Sequence, residues 1–187
     1  MKYTKDTIRQ EVAALKKKYS TEDLLVQSEE IISVLEATDT FCKAKNILIY
    51  HSLRDEVQTS SIIEKYADNK TFFLPAIDED NSMVARKYDT SVQLKKSDLG
   101  ILEPVNSNLA DLRKIDLIIV PGIAFDRELN RMGRGKGYYD KFLEQMKTPK
   151  IGLCFDFQLF DKIPTEKHDI PMDMLVLENE IICNGIY

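Results

Sequence analysis

The 187-residue sequence predicts an α/β fold with an open, largely parallel sheet flanked by helices. Three observations lead there. Short apolar runs alternate with segments whose apolar residues recur at three- and four-residue spacing, the mark of strands joined by helical crossovers. The run from Ile115 to Val120 reads as a buried strand and leads into a glycine-rich loop and then a helix. No internal repeat, low-complexity tract or linker interrupts the chain, so residues 1–187 read as one domain, long enough for one well-buried core.

Each element has its own signal. Thr4 to Lys18 carries Ile8, Val12 and Leu15 on one face, an amphipathic helix. Ser20 offers an N-cap, with Asp23 three residues on, for a helix bearing Leu24, Leu25, Ile31, Ile32, Val34 and Leu35. Asn46 to Tyr50 reads as a strand, Ser60 to Ala67 as a helix, and Thr71 to Ile77 as a strand ended near Pro75. Met83 to Tyr88 is a further strand, while Ser91 to Pro104 has mixed charge and a turn-like Gly-Ile-Leu-Glu-Pro and stays ambiguous. In the helix Tyr138 to Met146, residues Tyr139, Phe142, Leu143 and Met146 share a face. Lys150 to Phe155, Met174 to Leu177 and Ile181 to Ile186 complete the strands. The sum is a Rossmann-like three-layer architecture. Such sheets bind ligands beyond the carboxyl ends of their strands. Three segments fall there: His51 to Glu56, Gly122 to Tyr139, and Asp156.

Composition narrows the function. The chain is 43% hydrophobic and 30% charged, an ordinary globular balance. A net charge of −5 argues against general nucleic-acid binding. No apolar run approaches the roughly 20 residues that span a bilayer. Met1 to Lys18 is charged and lacks the apolar core of a signal peptide. Cys42, Cys154 and Cys183 are odd in number and widely spaced, which fits reduced core thiols better than a disulfide framework or a zinc site. These features suggest a cytoplasmic monomer without nucleic-acid or membrane partners.

The stretch from Val120 to Asp140 departs from the acidic average. Arg127 to Lys141 holds five basic residues against two acidic ones, a net of +3. Gly133, Gly135 and Gly137 alternate with Arg134 and Lys136; Arg131 precedes them, and Tyr138, Tyr139 and Asp140 follow. Glycine lets a ligand approach the backbone, and exposed N–H groups between cations suit a nucleotide polyphosphate. The spacing matches neither the P-loop nor the dinucleotide fingerprint, and a solvated basic loop has the same composition. Lys5 and Arg9 share a helix face at i, i+4, which by spacing alone is a solvated basic face. His51 at a strand end suits a structural hydrogen-bonder, and Glu56 a surface charge. Asp140 suits a helix-start aspartate, and Asp169 a turn before Pro171. Phe125, Tyr138 and Tyr139 suit either the core or stacking on a flat ring, with Tyr138, beside Gly137, the better ligand contact.

The stretch as a whole is more specific. Pro121-Gly122-x-Ala124-Phe125-Asp126, followed by Arg131-x-Gly133-x-Gly135-x-Gly137-Tyr138-Tyr139-Asp140, resembles the signature of the 5-formyltetrahydrofolate cyclo-ligase family. The resemblance covers nearly the full chain, including Lys5-x-x-x-Arg9, Asp55-Glu56-Val57 and the His168-Asp169 pair. It implies an open α/β fold and ATP-dependent cyclisation of 5-formyltetrahydrofolate to 5,10-methenyltetrahydrofolate with release of ADP and phosphate. The formyl oxygen would be phosphorylated and N10 would attack the activated carbon. The resemblance implies an ATP site of Lys5, Arg9, Arg131, Gly133, Arg134, Gly135, Lys136, Gly137, Tyr138 and Tyr139, with Arg134 and Lys136 catalytic. It implies that His51, Glu56, Phe125 and Tyr138 meet the folate; a carboxylate suits the N–H donors of a pterin. It implies Mg²⁺ at Asp140 and Asp169, with Asp173 as an alternative ligand. Two other functions stay open: an ATP-using enzyme for another small substrate on the same scaffold, and a non-catalytic nucleotide- or RNA-binding module built on the Arg131 to Lys141 patch.

Overall fold

A computed structural model describes residues 4–97 and 100–184. Helix α1 (Lys5–Lys16) starts from a Thr4–Thr7 capping box, and α2 (Thr21–Glu36) from the expected Ser20–Asp23 box. The short α3 (Asp39–Lys43), which has no clear periodicity, follows under a Thr38 cap. The central sheet holds β1 (Asn46–Leu48), β2 (Thr71–Ile77), β3 (Met83–Tyr88), β6 (Leu117–Val120), β9 (Lys150–Leu153), β11 (Met174–Val176) and β12 (Ile181–Cys183). Their order is β12-β11-β9-β6-β1-β2-β3. The middle pairings, from β11 through β2, are parallel; β12 and β3 add antiparallel edges. Gly185 and Ile186 of the expected last strand lie outside the described residues.

Alternation along the strands gives two buried faces, hence three layers. Ile47 and Ile49, Leu117 and Ile119, and Leu153 face α2 and α4 (Ser60–Tyr66). Leu48, Ile118 and Val120 face α5 (Tyr138–Glu144), which contributes Phe142 and Leu143. The chain runs from β1 outward to β2 and later returns to the other side of β1 with β6. The order therefore reverses between β1 and β6, and a crevice opens beyond their carboxyl ends.

Several expectations change. β2 passes through Pro75, which pairs with Ala85 of β3. The C=O of Phe73 points toward β1, accepting the Ile49 N–H, and Pro75, two residues on, presents the same side of its backbone there. The next parallel-ladder bond would need an N–H at position 75, which proline lacks, so the pairing with β1 stops there while β2 continues against β3. The ambiguous stretch forms a hairpin of β4 (Leu94–Lys96) and β5 (Leu102–Pro104). Val120 does not lead straight into the glycine loop. A small sheet of β7 (Ala124–Asp126), β8 (Arg131–Met132) and β10 (Leu159–Phe160) intervenes. Cys154 is fully buried, but Cys42 is exposed, because it lies on the outer side of α3.

Phe125 joins the small sheet to the large one. A Cβ on Gly122 would meet the Phe125 ring at 2.4 Å, and a Cβ on Gly152 of β9 would meet it at 2.6 Å. The two glycines thus vacate the volume that the ring fills. Asp126 closes the β7–β8 turn: its buried carboxylate accepts from the N–H groups of Glu128, Asn130 and Ile163 and from the Asn130 amide. Ile8 and Val12 of α1 pack on Ala124, Met132 and Ile163, so α1 covers the small sheet instead of the large one. Gly122→Ala should overpack this joint and lower stability by ~1–3 kcal/mol in urea unfolding; unchanged stability would mean that the ring does not depend on that space.

Candidate active site

A cavity of about 890 Å³ opens at the crevice between β1 and β6. That is near the top of the roughly 300–1,000 Å³ usual for small-molecule sites. One side is the glycine loop from Gly133 to Gly137. Gly135 and Gly137 have φ of +89° and +70°, a region that disfavours side chains. A Cβ on Gly135 would also press to 3.2 Å from Arg9 Nη2. Another part of the lining is mostly apolar: Pro75, Ala76 and Ile77 of β2, Met83 of β3 and Ile101 before β5, with Glu103 beside them.

The small sheet carries Arg131 into this cavity and α1 carries Lys5 and Arg9. Arg9 Nε and Nη2 both donate to Gly133 O at 3.3 Å, and Nη1 pairs with Asp6 at 2.8 Å. Lys5 Nζ donates to Asp169 at 2.7 Å across 164 residues of chain. Arg131, whose side chain is 3% exposed, pairs with Asp140 at 2.9 Å and donates to Pro121 O, while its buried Nε has no partner. Arg134 Nη2 donates to Glu56 Oε1 at 2.9 Å. Lys136 is exposed at the cavity mouth.

Glu56 is held from its own side as well. Its Oε2 accepts the Leu53 N–H at 3.0 Å, Gln58 donates to the carbonyls of Leu53 and Glu56, and Tyr50 Oη donates to Val57 O. His51 also lines the cavity. Tyr138 Oη donates to Asn81 at 2.7 Å, tying the start of α5 to the β2–β3 turn. Tyr139 lies under the Arg131 guanidinium, 5.4 Å from its ring centroid. Burial, and next the Glu56 charge, push its hydroxyl well above the ordinary tyrosine value, so it stays a neutral donor.

Asp140 Oδ1 takes both the Arg131 pair and the Ile170 N–H at 3.3 Å, so the segment after Asp169 lies against Asp140. Asp169 Oδ2 takes Lys5 and the Glu166 N–H. Burial works to raise the Asp169 carboxyl, but those hydrogen bonds outweigh it and hold it below the ordinary aspartate value. Among the described residues, no group of three or more His, Cys, Asp or Glu side chains is placed to hold a metal.

The family model described as the 5-formyltetrahydrofolate cyclo-ligase family matches residues 1–178. The chain belongs to the 5-formyltetrahydrofolate cyclo-ligase family. It is 30% identical to the mouse (Mus musculus) 5-formyltetrahydrofolate cyclo-ligase over 92% of both chains. A Haemophilus influenzae 5-formyltetrahydrofolate cyclo-ligase is 32% identical over 72% of this chain and 76% of that one. The NMR structure of Aquifex aeolicus 5,10-methenyltetrahydrofolate synthetase superposes with a TM-score of 0.86 at 32% identity, covering 98% of this chain and 95% of that one.

Within this cyclo-ligase chain, the positions singled out in the sequence converge, with three exceptions. Phe125 is fully buried at the joint between the sheets and does not line the cavity, because the space beside Gly122 and Gly152 holds its ring. Asp173 accepts the Lys150 N–H and pairs with Lys150 Nζ at the start of β9, the end of the sheet away from the cavity. Asp156 also lies outside the cavity lining, despite following β9. The sequence reading missed the wall of Pro75, Ile77, Met83, Ile101 and Glu103. Only the unassigned Gly-Ile-Leu-Glu-Pro segment hinted at it. No helix among the described residues is long and apolar enough to cross a membrane.

Asp156 belongs to another feature. Its backbone N–H donates to both oxygens of the buried Glu178, at 3.1 and 3.3 Å. Burial, with a further push from the Asp156 charge, raises the Glu178 carboxyl from 4.5 to about 7. A folded-state value above the unfolded one means that protonated Glu178 stabilises the fold; the contribution is complete below the unfolded value and lost as pH rises through about 7. Compared with Glu178→Gln, the natural chain should therefore lose Tm between pH 5.5 and pH 8. Parallel Tm–pH curves for the two proteins would show that Glu178 titrates normally.

Proposed function

We propose that the protein is an ATP-dependent 5-formyltetrahydrofolate cyclo-ligase, forming 5,10-methenyltetrahydrofolate, ADP and phosphate at the cavity between β1 and β6. The observation that carries this reading is the convergence of Lys5, Arg9, Arg131, Arg134 and Lys136 on one cavity whose other wall is apolar. A polyphosphate suits the first side and a flat, largely apolar ring the second. Glu56, in the same lining, suits the N–H donors of a pterin, and His51 and Tyr138 also line the cavity.

In this reading Gly133 to Tyr139 wrap the phosphates. Arg134 and Lys136 meet the transferring phosphoryl group and stabilise its charge. Lys5, Arg9 and Arg131 reach the same phosphates from the other side. The residues also fit Mg²⁺. Asp140 and Asp169 each commit one oxygen to hydrogen bonds in the loop region, and Mg²⁺ takes few protein oxygens beside phosphates and waters. When bound, the ion would neutralise polyphosphate charge.

The formyl oxygen of the substrate is a poor leaving group. Transfer of the γ-phosphoryl group to it gives an iminium phosphate; N10 then attacks the carbon and gives up its proton, and the carbon–oxygen bond breaks as phosphate leaves. The protein supplies position and charge. The reading includes a cytoplasmic, monomeric protein acting on small molecules. The cavity lining weighs against an RNA-binding module: its six Lys and Arg side chains face seven Asp and Glu.

Turnover is followed by the absorbance of methenyltetrahydrofolate after mixing the protein with 5-formyltetrahydrofolate, ATP and Mg²⁺. Substrate carrying ¹⁸O in the formyl group should yield labelled phosphate, one oxygen per turnover. Unlabelled phosphate would exclude phosphorylation of that oxygen. Separately, Lys136→Ala should weaken ATP binding by ~1.5–3 kcal/mol, the range for a charge-assisted hydrogen bond. Glu56→Gln should instead raise the folate KM more than the ATP KM. The reverse pattern in steady-state kinetics would exchange the two sides of the cavity.

A further inference from the structure

The cavity is not a bare basic surface. Lys5 is paired with Asp169, Arg9 with Asp6, Arg131 with Asp140, and Arg134 with Glu56. The first three pairs lie among α1, β8, α5 and the segment that holds Asp169. The fourth runs from the glycine loop to the segment after β1.

The two ends of that pair differ in freedom. Glu56 is 11% exposed, and its Oε2 is fixed by the Leu53 N–H. Arg134 is 49% exposed and sits between Gly133 and Gly135. Beyond Glu56, its ion partner is Asp55 at 3.7 Å, which is itself held by Lys16 at 2.8 Å. Arg131 is clamped by Asp140 and Pro121 O, and Arg9 by Gly133 O and Asp6. Among these arginines Arg134 is the one whose head group changes partners at little cost.

We propose that Arg134 is shared between the two ligands, so that nucleotide binding releases Glu56 and makes the nucleotide a positive effector of folate binding. The inference rests on the assignment of the glycine loop to phosphate and of Glu56 to folate. When the polyphosphate takes the Arg134 guanidinium, Glu56 Oε1 is left to accept from the pterin. Folate binding first has to break the Arg134–Glu56 pair itself; folate binding second does not. Linkage makes the effect equal in both directions. A half-exposed pair of this kind supports a coupling of about fivefold.

The test is titration calorimetry of the full chain with 5-formyltetrahydrofolate, with and without a non-hydrolysable ATP analogue and Mg²⁺. The natural protein should bind folate several-fold more tightly with the analogue present. Arg134→Ala, measured without nucleotide, should bind folate about fivefold more tightly than the natural protein, because Glu56 is already released. In that variant the analogue should add little. Folate affinity that is unchanged or weaker in Arg134→Ala would overturn the sharing and leave the cyclo-ligase reading intact. A natural protein that neither binds nor converts 5-formyltetrahydrofolate would overturn that reading instead.

Discussion

The site depends on one packing constraint, the Phe125 ring lodged against Gly122 and Gly152. That ring fixes β7 to the carboxyl-end region of β6 and β9. β8 pairs with β7, so the position of β7 sets where Arg131 enters and where the glycine loop begins. Helix α1 rests on the same small sheet through Ile8 and Val12, which brings Lys5 and Arg9 over a loop more than a hundred residues later in sequence. A buried residue outside the cavity lining thus sets the relative placement of both cationic segments. The Pro-Gly-x-Ala-Phe-Asp part of the motif is explained by this joint and by the Asp126 turn.

Bringing so many cations to one cavity is costly unless their charges are balanced. Here each buried or half-buried cation has an acidic partner, and the partners orient it. Arg131 shows this most clearly: Asp140 holds Nη2, Pro121 O accepts from Nη1, and Tyr139 packs against the guanidinium face. Such pairs add little net stability where water reaches them. Their larger effect is preorganisation: in the proposed function a phosphate would meet donors already aimed and already stripped of part of their water.

Much of the fold was legible because it follows from periodicity. The two long N-terminal helices, the Ser20–Asp23 cap of the second and the parallel strands came from spacing and polarity. The small sheet did not, since strands of two or three residues carry no alternation to read. The glycine loop and its cations were legible as chemistry. Their meeting with Lys5 and Arg9 was not derivable from spacing, because helical periodicity places two cations on one face without saying what that face covers. Phe125 was misread for the same reason. An aromatic beside a glycine-rich segment looks like a ring-stacking residue until the glycines are seen to be making room for it. The apolar wall was invisible because its residues come from the paired β2 and β3 and from the segment at β5, and look like ordinary core.

The carboxylates near the loop are best understood through which oxygen each one uses. Asp140 spends Oδ1 on Arg131 and on the Ile170 N–H, and Asp169 spends Oδ2 on Lys5 and the Glu166 N–H. In each case the bonds fix the carboxylate plane and tie together segments far apart in sequence. Both residues therefore have a structural task whether or not they also meet an ion. Asp140 sits in the first turn of α5, where a negative charge also favours the helix start. Replacing it removes the partner of a buried arginine, whose cost is that of an unpaired buried charge. Loss of activity in such a variant by itself says nothing of magnesium; a shift in the Mg²⁺ concentration needed, with the fold intact, is the part that belongs to the ion.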